Sequence, residues 1–241
     1  GARREDRVQG FPPQRLVVSP HLDDAVLSCG EMIAEVASTV VLTVFAGVPA
    51  GFEGLTGWDR ISGFQNAQQA VAARRGEDRA ALDILLAQPC WLDFCDGQYA
   101  RSPSLALLAC GLDEVLAREA PATVVIPAGL GHPDHILAHQ ALLMARQHHL
   151  DKTWLMYEDA LYRRTPGLLQ QRLSALMDAG IEATPLPGAA NGATQLKSRA
   201  VECYRSQLLA LSKGPDGYAD AFAPERFWRL EAGPAVQGAR P

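Results

Sequence analysis

Short apolar runs alternate along the chain with segments that show helical periodicity. The runs are rich in β-branched and aromatic residues, which is typical of strands, and they lie at 15–19, 39–47, 90–94, 122–128 and 153–159. Apolar residues spaced three and four apart predict helices at 24–37, 65–88, 104–119, 134–149, 167–179 and 194–211. A strand that is followed repeatedly by a helix is typical of βαβ units.

This alternation predicts an α/β fold with a Rossmann-like, mostly parallel sheet that carries helices on both faces. The active site of such a sheet lies at the carboxyl ends of the strands. The 241 residues, of which 48% are hydrophobic, suit a single domain over 1–241, with flexible ends expected at 1–12 and 232–241. The glycine-containing connections 46–63 and 212–227 are long enough for a lid or pocket wall, although a plain surface loop fits them equally well.

Charge and cysteine content narrow the classes of partner. The net charge is −5, and basic residues form no block longer than a pair, which argues against a nucleic acid or an anionic membrane and favours a small molecule. The five cysteines are odd in number and show no CxxC spacing, so we expect reduced thiols. No apolar run approaches the roughly 18 residues of a membrane span. The N-terminal segment lacks a signal-peptide centre, so we expect a cytoplasmic protein, and a homo-oligomer is left open.

Ionisable residues cluster directly after two of the predicted strands. The first cluster consists of His21, Asp23 and Asp24, and the second of His132, Asp134, His135 and His139. Because the carboxyl ends of parallel strands meet at one edge of a sheet, both clusters can converge. Imidazoles and carboxylates without a thiolate form the ligand set of a catalytic divalent metal such as zinc, which keeps one position for water. Two adjacent aspartates point in different directions, so one can bind metal while the other accepts a proton from the water.

Each of these residues also has a purely structural interpretation. Asp23 and Asp24 could cap the following helix, His132 could cap the second helix, and His135 could be a surface residue. His139 lies one helical turn beyond His135, a spacing that can chelate zinc, so it competes with the other ligands. His148 and His149 are expected to be solvated near the end of the same helix. The joint occurrence of both clusters at strand ends favours the metal site.

The motifs SPHLDDAVLSCG (19–30) and GHPDHILAH (131–139) resemble the two signatures of the PIG-L/LmbE family of zinc-dependent N-deacetylases. Leu22 stands where proline is commonest in that family, and the ionisable groups remain in register. The segments ARRGEDRAALDILL (73–86) and LDFCDGQY (92–99) are also similar to the family, and YEDALY (157–162) and LKSRAVECYRSQL (196–208) resemble a branch of it. The resemblance therefore extends over most of 15–230.

The resemblance implies a role for each matching residue. It implies that zinc is held by His21, Asp24 and His135. Asp23 would be the general base, and His132, oriented by Asp134, would stabilise the oxyanion and help the amine to leave. Substrate hydroxyls would meet Arg74 and Asp96. Some family members have a tyrosine at the position of Leu130, so oxyanion stabilisation here would rest on zinc and His132 together, or on another group.

The implied reaction removes an N-acetyl group from an N-acetylglucosamine-type glycoconjugate or a related small molecule. One Zn²⁺ per chain is implied as the cofactor, with another divalent metal such as Fe²⁺ as the alternative. The alternative functions are an amidase for a non-sugar N-acyl substrate and a zinc-retaining glycan-binding protein without turnover. A dinucleotide-binding oxidoreductase is disfavoured because SPHLDD, rather than a glycine-rich phosphate turn, follows the first strand. An aspartate-nucleophile phosphatase would leave the histidines of the second cluster unexplained.

Overall fold

A seven-stranded sheet forms the centre of the molecule in the computed structural model, which describes residues 14–99, 102–187, 193–214 and 217–233. The strands are β1 (Arg15–Ser19), β2 (Thr39–Thr43), β3 (Gln88–Trp91), β4 (Thr123–Pro127), β5 (Thr153–Tyr157), β6 (Ile181–Pro185) and β7 (Phe227–Ala232). Their order across the sheet is β3-β2-β1-β4-β5-β7-β6. The neighbours from β3 to β5 pair in parallel, whereas β7 is antiparallel to both β5 and β6.

The helices cover both faces of this sheet. They are α1 (Asp24–Glu35), α2 (Gly57–Ile61), α3 (Ala67–Ile84), α4 (Leu105–Glu119), α5 (Pro133–Arg146), α6 (Leu168–Asp178), α7 (Thr194–Val201) and α8 (Arg205–Leu211). Leu16 and Val18 of β1 pack towards the cluster that includes α4 and α5, whereas Val17 packs towards the cluster that includes α1, α3 and α7. Burial on both faces explains why the central strands are apolar throughout rather than alternating.

The topology places the two ionisable clusters beside each other. β1 lies between β2 and β4. From β1, the chain adds β2 and β3 on one side of the sheet, and it then returns to add β4 and β5 on the other side. Arg15 to Val17 pair with Thr123 to Val125, which sets the two strand ends at the same level. A crevice opens at such a reversal of strand order, outside the carboxyl ends. The predicted mostly parallel α/β fold, with helices on both faces, is therefore confirmed.

The last two strands were absent from the prediction. β6 is largely exposed at the sheet edge and has few apolar residues, and β7 overlaps the predicted loop 212–227 and the predicted flexible end 232–241. Predicting no structure from 232 onwards was therefore wrong at Ala232, while 234–241 and 1–12 lie outside the described residues. The loop 212–227 also contains a 3₁₀ turn at Ala219–Phe222, and residues 215 and 216 within it are not described.

One predicted helix is divided in two, and another runs four residues past its observed end. The helix predicted at 194–211 is interrupted at Tyr204, which leaves helical geometry and donates its buried hydroxyl to Asp78 at 2.8 Å. The helix predicted at 65–88 ends at Ile84, because Leu86 adopts a φ of 55° and Gln88 pairs with Val40 to begin β3. The predicted loop 46–63 contains α2, whose cap residue Thr56 accepts from the Asp59 amide. Within the described ranges, no helix is both long enough and apolar enough to cross a membrane.

Candidate active site

The turn between β1 and α1 holds the first cluster in a defined shape. The Ser19 hydroxyl donates to the His21 carbonyl at 2.6 Å and accepts from the Ala25 amide at 2.9 Å. The His21 amide donates to Asp24 Oδ2 at 2.8 Å. Asp23 occupies the N-cap position, yet its side chain makes no capping hydrogen bond. The interpretation of Asp23 as a simple helix cap is therefore wrong, and its carboxylate faces the adjoining cavity.

The turn between β4 and α5 holds the second cluster. His132 caps α5, since its Nδ1 accepts from the Asp134 amide at 3.2 Å, and Pro133 occupies the first turn. Gly131 adopts a φ of +71°, and a Cβ at this position would lie 2.5 Å from the ring of Tyr162. The structural interpretation of His132 is thus confirmed, and the same residue also lines the cavity. Capping assigns the ring proton to Nε2, because Nδ1 is the acceptor.

Asp24 lies between the imidazoles of the two clusters. Its Oδ2 is 3.2 Å from His21 Nδ1 and 3.1 Å from His135 Nε2. Each ring is bound on its far side by another carboxylate. His21 Nε2 donates to Asp134 Oδ2 at 2.9 Å, and His135 Nδ1 donates to Asp159 Oδ1 at 2.7 Å. The sequence thus brings together a histidine from each turn around one shared carboxylate.

The predicted contact between Asp134 and His132 takes a different form. The Asp134 carboxylate, which was expected to orient His132, accepts from His21 and from the Gly97 amide at 2.9 Å. It is the backbone amide of Asp134 that bonds to His132. The prediction that the Asp134 side chain orients His132 is therefore wrong, because this side chain binds His21 instead.

The donor set fits a divalent cation. Ring nitrogens of His21, His132 and His135 lie within 4.8 Å of one another, close enough to share one ion. Together with the Asp24 carboxylate they supply nitrogen and oxygen ligands, which zinc and iron accept. His21, Asp96 and Asp134 form a second group within the same distance limit, and His21 Nε2 lies 4.0 Å from Asp96 and 2.9 Å from Asp134. The residues could hold a metal, and His132 could be a ligand in place of its predicted catalytic role.

Opposite charges fix the protonation of Asp24 and its neighbours. Burial alone would raise the pKa of Asp24, but His135 and His21 hold it well below its ordinary value. Burial would lower the pKa of His135, yet Asp24 and Asp159 raise it to about 9. Burial also opposes the charge on His21, whose pKa is nevertheless raised well above its ordinary value by carboxylates, first among them Asp96. In the metal-free protein both rings therefore carry a proton, and a cation bound at this site would displace these protons.

Asp23 and His132 have the opposite electrostatic character. Burial and the negative charge of Asp24 raise the pKa of Asp23 to about 7, which is the range of an effective general base at neutral pH. Burial and the positive charges of His21 and His135 lower the pKa of His132, so its ring is neutral. Asp23 is thus poised to accept a proton, and His132 presents a neutral N–H.

A cavity of about 210 Å³ opens above these groups. Its wall combines site residues with aromatic, amide and apolar side chains; the latter are Trp58, Gln98, Leu161, Tyr162, Gln207 and Leu211. The Trp58 indole donates to Gln207 at 2.8 Å, which joins the predicted loop 46–63 to α8. A pocket-wall role for this loop, one of the two alternatives, is therefore supported by Trp58.

The two predicted substrate-binding residues differ in position. Asp96 lines the cavity beside His21, where its carboxylate also accepts from Gln98. Arg74 is buried behind it, with its guanidinium 2.5 Å from Asp59 and 3.4 Å from the Tyr99 hydroxyl. Arg74 borders a smaller cavity next to the main one. A contact between substrate and Arg74 stays a prediction, and the structure shows Arg74 in an internal ion pair.

The remaining histidines lie outside the candidate metal site formed by His21, His132 and His135. His139 is fully buried, its Nδ1 donates to the Pro127 carbonyl at 2.8 Å, and it belongs to neither of the two groups of potential metal ligands among the described residues. His148 is exposed, as predicted, but His149 is buried and bonds to Asp113 at 3.0 Å, so its predicted solvation is wrong. Asp159 was missed. It is the last residue of the fifth predicted strand and lies in the segment YEDALY (157–162), and these two features could have indicated it.

Comparison with known proteins identifies the family of this chain. The family model described as "PIG-L: GlcNAc-PI de-N-acetylase" matches residues 16–146, more than half of the chain. No curated protein matches the chain. Among solved structures, a deacetylase triple mutant (Orf2*T) of the teicoplanin biosynthetic pathway is 28% identical, with a TM-score of 0.76 and coverage of 92% of this chain and 99% of that one. The zinc-inhibited form of teicoplanin deacetylase Orf2 is 24% identical, with a TM-score of 0.74 and coverage of 92% and 99%.

Two further structures show how far the likeness extends. The A40926 pseudoaglycone deacetylase Dbv21 is 25% identical, with a TM-score of 0.74 and coverage of 93% of this chain and 100% of that one. GalB, the 4-carboxy-2-hydroxymuconate hydratase from Pseudomonas putida, is 17% identical, with a TM-score of 0.55 and coverage of 95% and 100%, and shares the fold alone. Because the fold also supports a hydratase, function must be inferred from the site. The matched residues include both ionisable clusters, and the chain belongs to the PIG-L family.

Proposed function

We propose that this chain is a metal-dependent N-deacetylase that hydrolyses the acetamide of an N-acetylglucosamine-type glycoconjugate or a related small molecule. The proposal rests on one observation, the Asp24 carboxylate held between His21 and His135 with Asp23 beside it at the cavity. Membership of the PIG-L family and the likeness to Orf2 and Dbv21 support the reaction class.

The proposed metal is a divalent ion, with Zn²⁺ favoured and Fe²⁺ as the alternative. His21, Asp24 and His135 would hold it, and Asp134 and Asp159 would fix the two rings from behind. Such an ion supplies Lewis acidity and lowers the pKa of a bound water. Two nitrogens and one carboxylate leave positions open, as expected for a catalytic rather than a structural site.

The remaining chemistry belongs to the side chains. Asp23, with its pKa near 7, accepts the proton of the attacking water. The neutral His132 ring donates a hydrogen bond from Nε2 to the carbonyl oxygen as negative charge develops there, and the proton that Asp23 accepted passes to the amine nitrogen as the C–N bond breaks. Asp96 and the amide side chains of Gln98 and Gln207 are placed on the wall to bind substrate hydroxyls.

The decisive experiment measures acetate release from N-acetylglucosaminyl substrates before and after metal removal. We expect activity to disappear when the metal is removed. It should return when Zn²⁺ or Fe²⁺ is added back in a titration that begins below one ion per chain. Asp23→Asn should keep the metal and lose about 10²–10⁴-fold in turnover, the contribution of a positioned base. Asp24→Asn should lose the metal itself. Activity that is indifferent to chelators, or equal metal loss in both variants, would contradict the assigned roles.

The apolar part of the wall favours a second candidate, an amidase for a non-sugar N-acyl substrate. Leu161 and Leu211 line the cavity together with the rings of Trp58 and Tyr162. Such side chains bind an acyl chain or an aglycone better than hydroxyl groups. A mass-spectrometric screen of N-acetylated sugars against N-acyl amines of increasing chain length separates the two candidates. Tight glycan binding without turnover would instead support a binding protein.

A further inference from the structure

Asp159 is a buried carboxylate directly behind His135. It lies two residues beyond the end of β5 and is only 1% exposed. Its Oδ1 accepts from His135 Nδ1 at 2.7 Å, and its Oδ2 accepts from the Leu130 amide at 3.0 Å. One carboxylate thus binds both the candidate ligand and the loop that leads from β4 into α5.

We propose that Asp159 is a positioning residue that fixes the tautomer and the orientation of His135 for metal binding. The inference rests on the proposed metal site and extends it to a residue outside both sequence motifs. An ionised carboxylate only accepts hydrogen bonds, so the nitrogen that faces Asp159 must carry the proton. This leaves Nε2, which lies 3.1 Å from Asp24 Oδ2, as the nitrogen available to a cation. Carboxylates that bind the far nitrogen of a ligating histidine typically contribute 10–100-fold to metal affinity.

Asp159 is itself held by several elements, which makes it a suitable anchor. The amide of the next residue, Ala160, donates to Ser28 Oγ of α1 at 3.1 Å. The Asp159 carbonyl accepts from the amides of Tyr162 and Arg163, both at 3.0 Å. Through Asp159 and Ala160, hydrogen bonds therefore link His135 of α5 to the end of β5 and to α1, the helix that carries Asp24.

The neighbouring Glu158 provides a matched control. It is a buried carboxylate of the same segment, 3% exposed, but its Oε1 accepts from the Trp228 indole of β7 at 3.0 Å. Loss of its charge should affect packing against β7 and leave His135 unchanged. If altering any buried acid after β5 disturbed the site, variants of both residues would lose metal affinity. If Asp159 positions His135, only the Asp159 variant would lose it.

The test compares Asp159→Asn with Glu158→Gln by chelator competition for Zn²⁺ and by the visible spectrum of the Co²⁺-substituted protein. The asparagine side chain has one acceptor and one donor, so it must present an N–H either to His135 or to the Leu130 amide. We expect Asp159→Asn to weaken Zn²⁺ binding about 10–100-fold and to shift the Co²⁺ bands, while Glu158→Gln leaves both unchanged. Wild-type affinity and spectrum in Asp159→Asn, or equal losses in both variants, would overturn the inference.

A measurement on the unaltered protein does not depend on the folding of a variant. Long-range ¹H–¹⁵N spectra of the Zn²⁺-loaded wild type should show His135 protonated at Nδ1 and metal-bound through Nε2. The opposite tautomer, or the absence of metal binding to the wild type, would overturn the proposal. None of these readouts requires turnover, so the expected spectra in a protein that releases no acetate would refute the deacetylase function and leave the role of Asp159 intact.

Discussion

His135 and His139 lie one turn apart on α5, and their surroundings differ in kind. Both rings are buried, at 1% and 0% exposure. His135 lies between the carboxylates of Asp24 and Asp159, which raise its pKa to about 9. Burial and then the charge of Arg172 lower the pKa of His139 to about 3, while its Nδ1–H donates to the Pro127 carbonyl. The spacing alone would fit a zinc chelate, but only the ring with carboxylates around it is prepared for a cation.

The largest expected difference between these two surroundings is in metal affinity. His135→Ala removes a ligand, so we expect Zn²⁺ binding to fall by at least about 100-fold, comparable to or larger than the loss of an outer-shell partner. His139→Ala should bind Zn²⁺ as the wild type does, because its ring faces the Pro127 carbonyl. Chelator competition on the folded fraction measures both values. Equal losses would mean that His139 belongs to the site after all.

The pH dependence of metal binding sharpens the same comparison. In the metal-free protein the pKa of His135 is about 9, and that of His21 is also raised, so both rings carry protons at pH 7. Zn²⁺ must displace these protons, and its affinity should therefore rise roughly tenfold per pH unit between pH 6 and 8 for each proton released. Calorimetry in buffers of different ionisation enthalpy counts the protons. A pH-independent affinity would show that the rings are neutral before the metal binds.

A third difference is steric and concerns the glycine that packs against His139. Gly129 has a φ of +73°, and a Cβ there would lie 2.6 Å from His139 Cβ. Gly129→Ala combines a left-handed backbone with overpacking, so we expect a loss of about 3 kcal/mol in the free energy of unfolding. Gly180 has a similar φ of +71° but no atom within 4 Å of the added Cβ, so Gly180→Ala should lose only about 1 kcal/mol. Urea unfolding measures the free energy of unfolding of both variants. Equal losses would show that the close contact with His139 adds nothing to the cost of the left-handed backbone.

The sequence predicted the strands that form the site better than it predicted the edge of the sheet. β1 and β4 are continuous apolar runs because helices cover them on both sides, and the polar residues that follow them stand out against that background. β6 is largely exposed, so its sequence carries little apolar signal, and β7 pairs antiparallel with β5 and β6 although it lies far from β5 along the chain. Such pairing depends on tertiary contacts that a local pattern does not contain.

The candidate site shows the same limit at the level of single residues. His21, Asp24 and His135 are brought together as predicted, because each lies in the turn or the first helical turn that follows a parallel strand. The sequence could not show that Asp134 turns towards His21 rather than His132, since side-chain direction is decided by contacts such as the Gly97 amide. It also could not show that Arg74 forms an ion pair with Asp59, which lies on the separate helix α2. A cytoplasmic location, single-domain organisation and the oligomeric state stay predictions.

The smallest expected difference is in stability against acid. The folded-state pKa of His139 lies below its unfolded value of 6.5, so its contribution is fully present above pH 6.5 and is lost as the pH falls, because the unfolded state then binds the extra proton. The loss should reach about 2 kcal/mol at pH 5. His135 has the opposite sign, since its pKa is raised to about 9, and its contribution in the metal-free protein is present below pH 6.5 and is lost as the pH rises through 9. Urea unfolding of the metal-free protein from pH 4.5 to 7 should therefore show a steeper dependence on pH in the wild type than in His139→Gln, and parallel curves would contradict a neutral, buried His139.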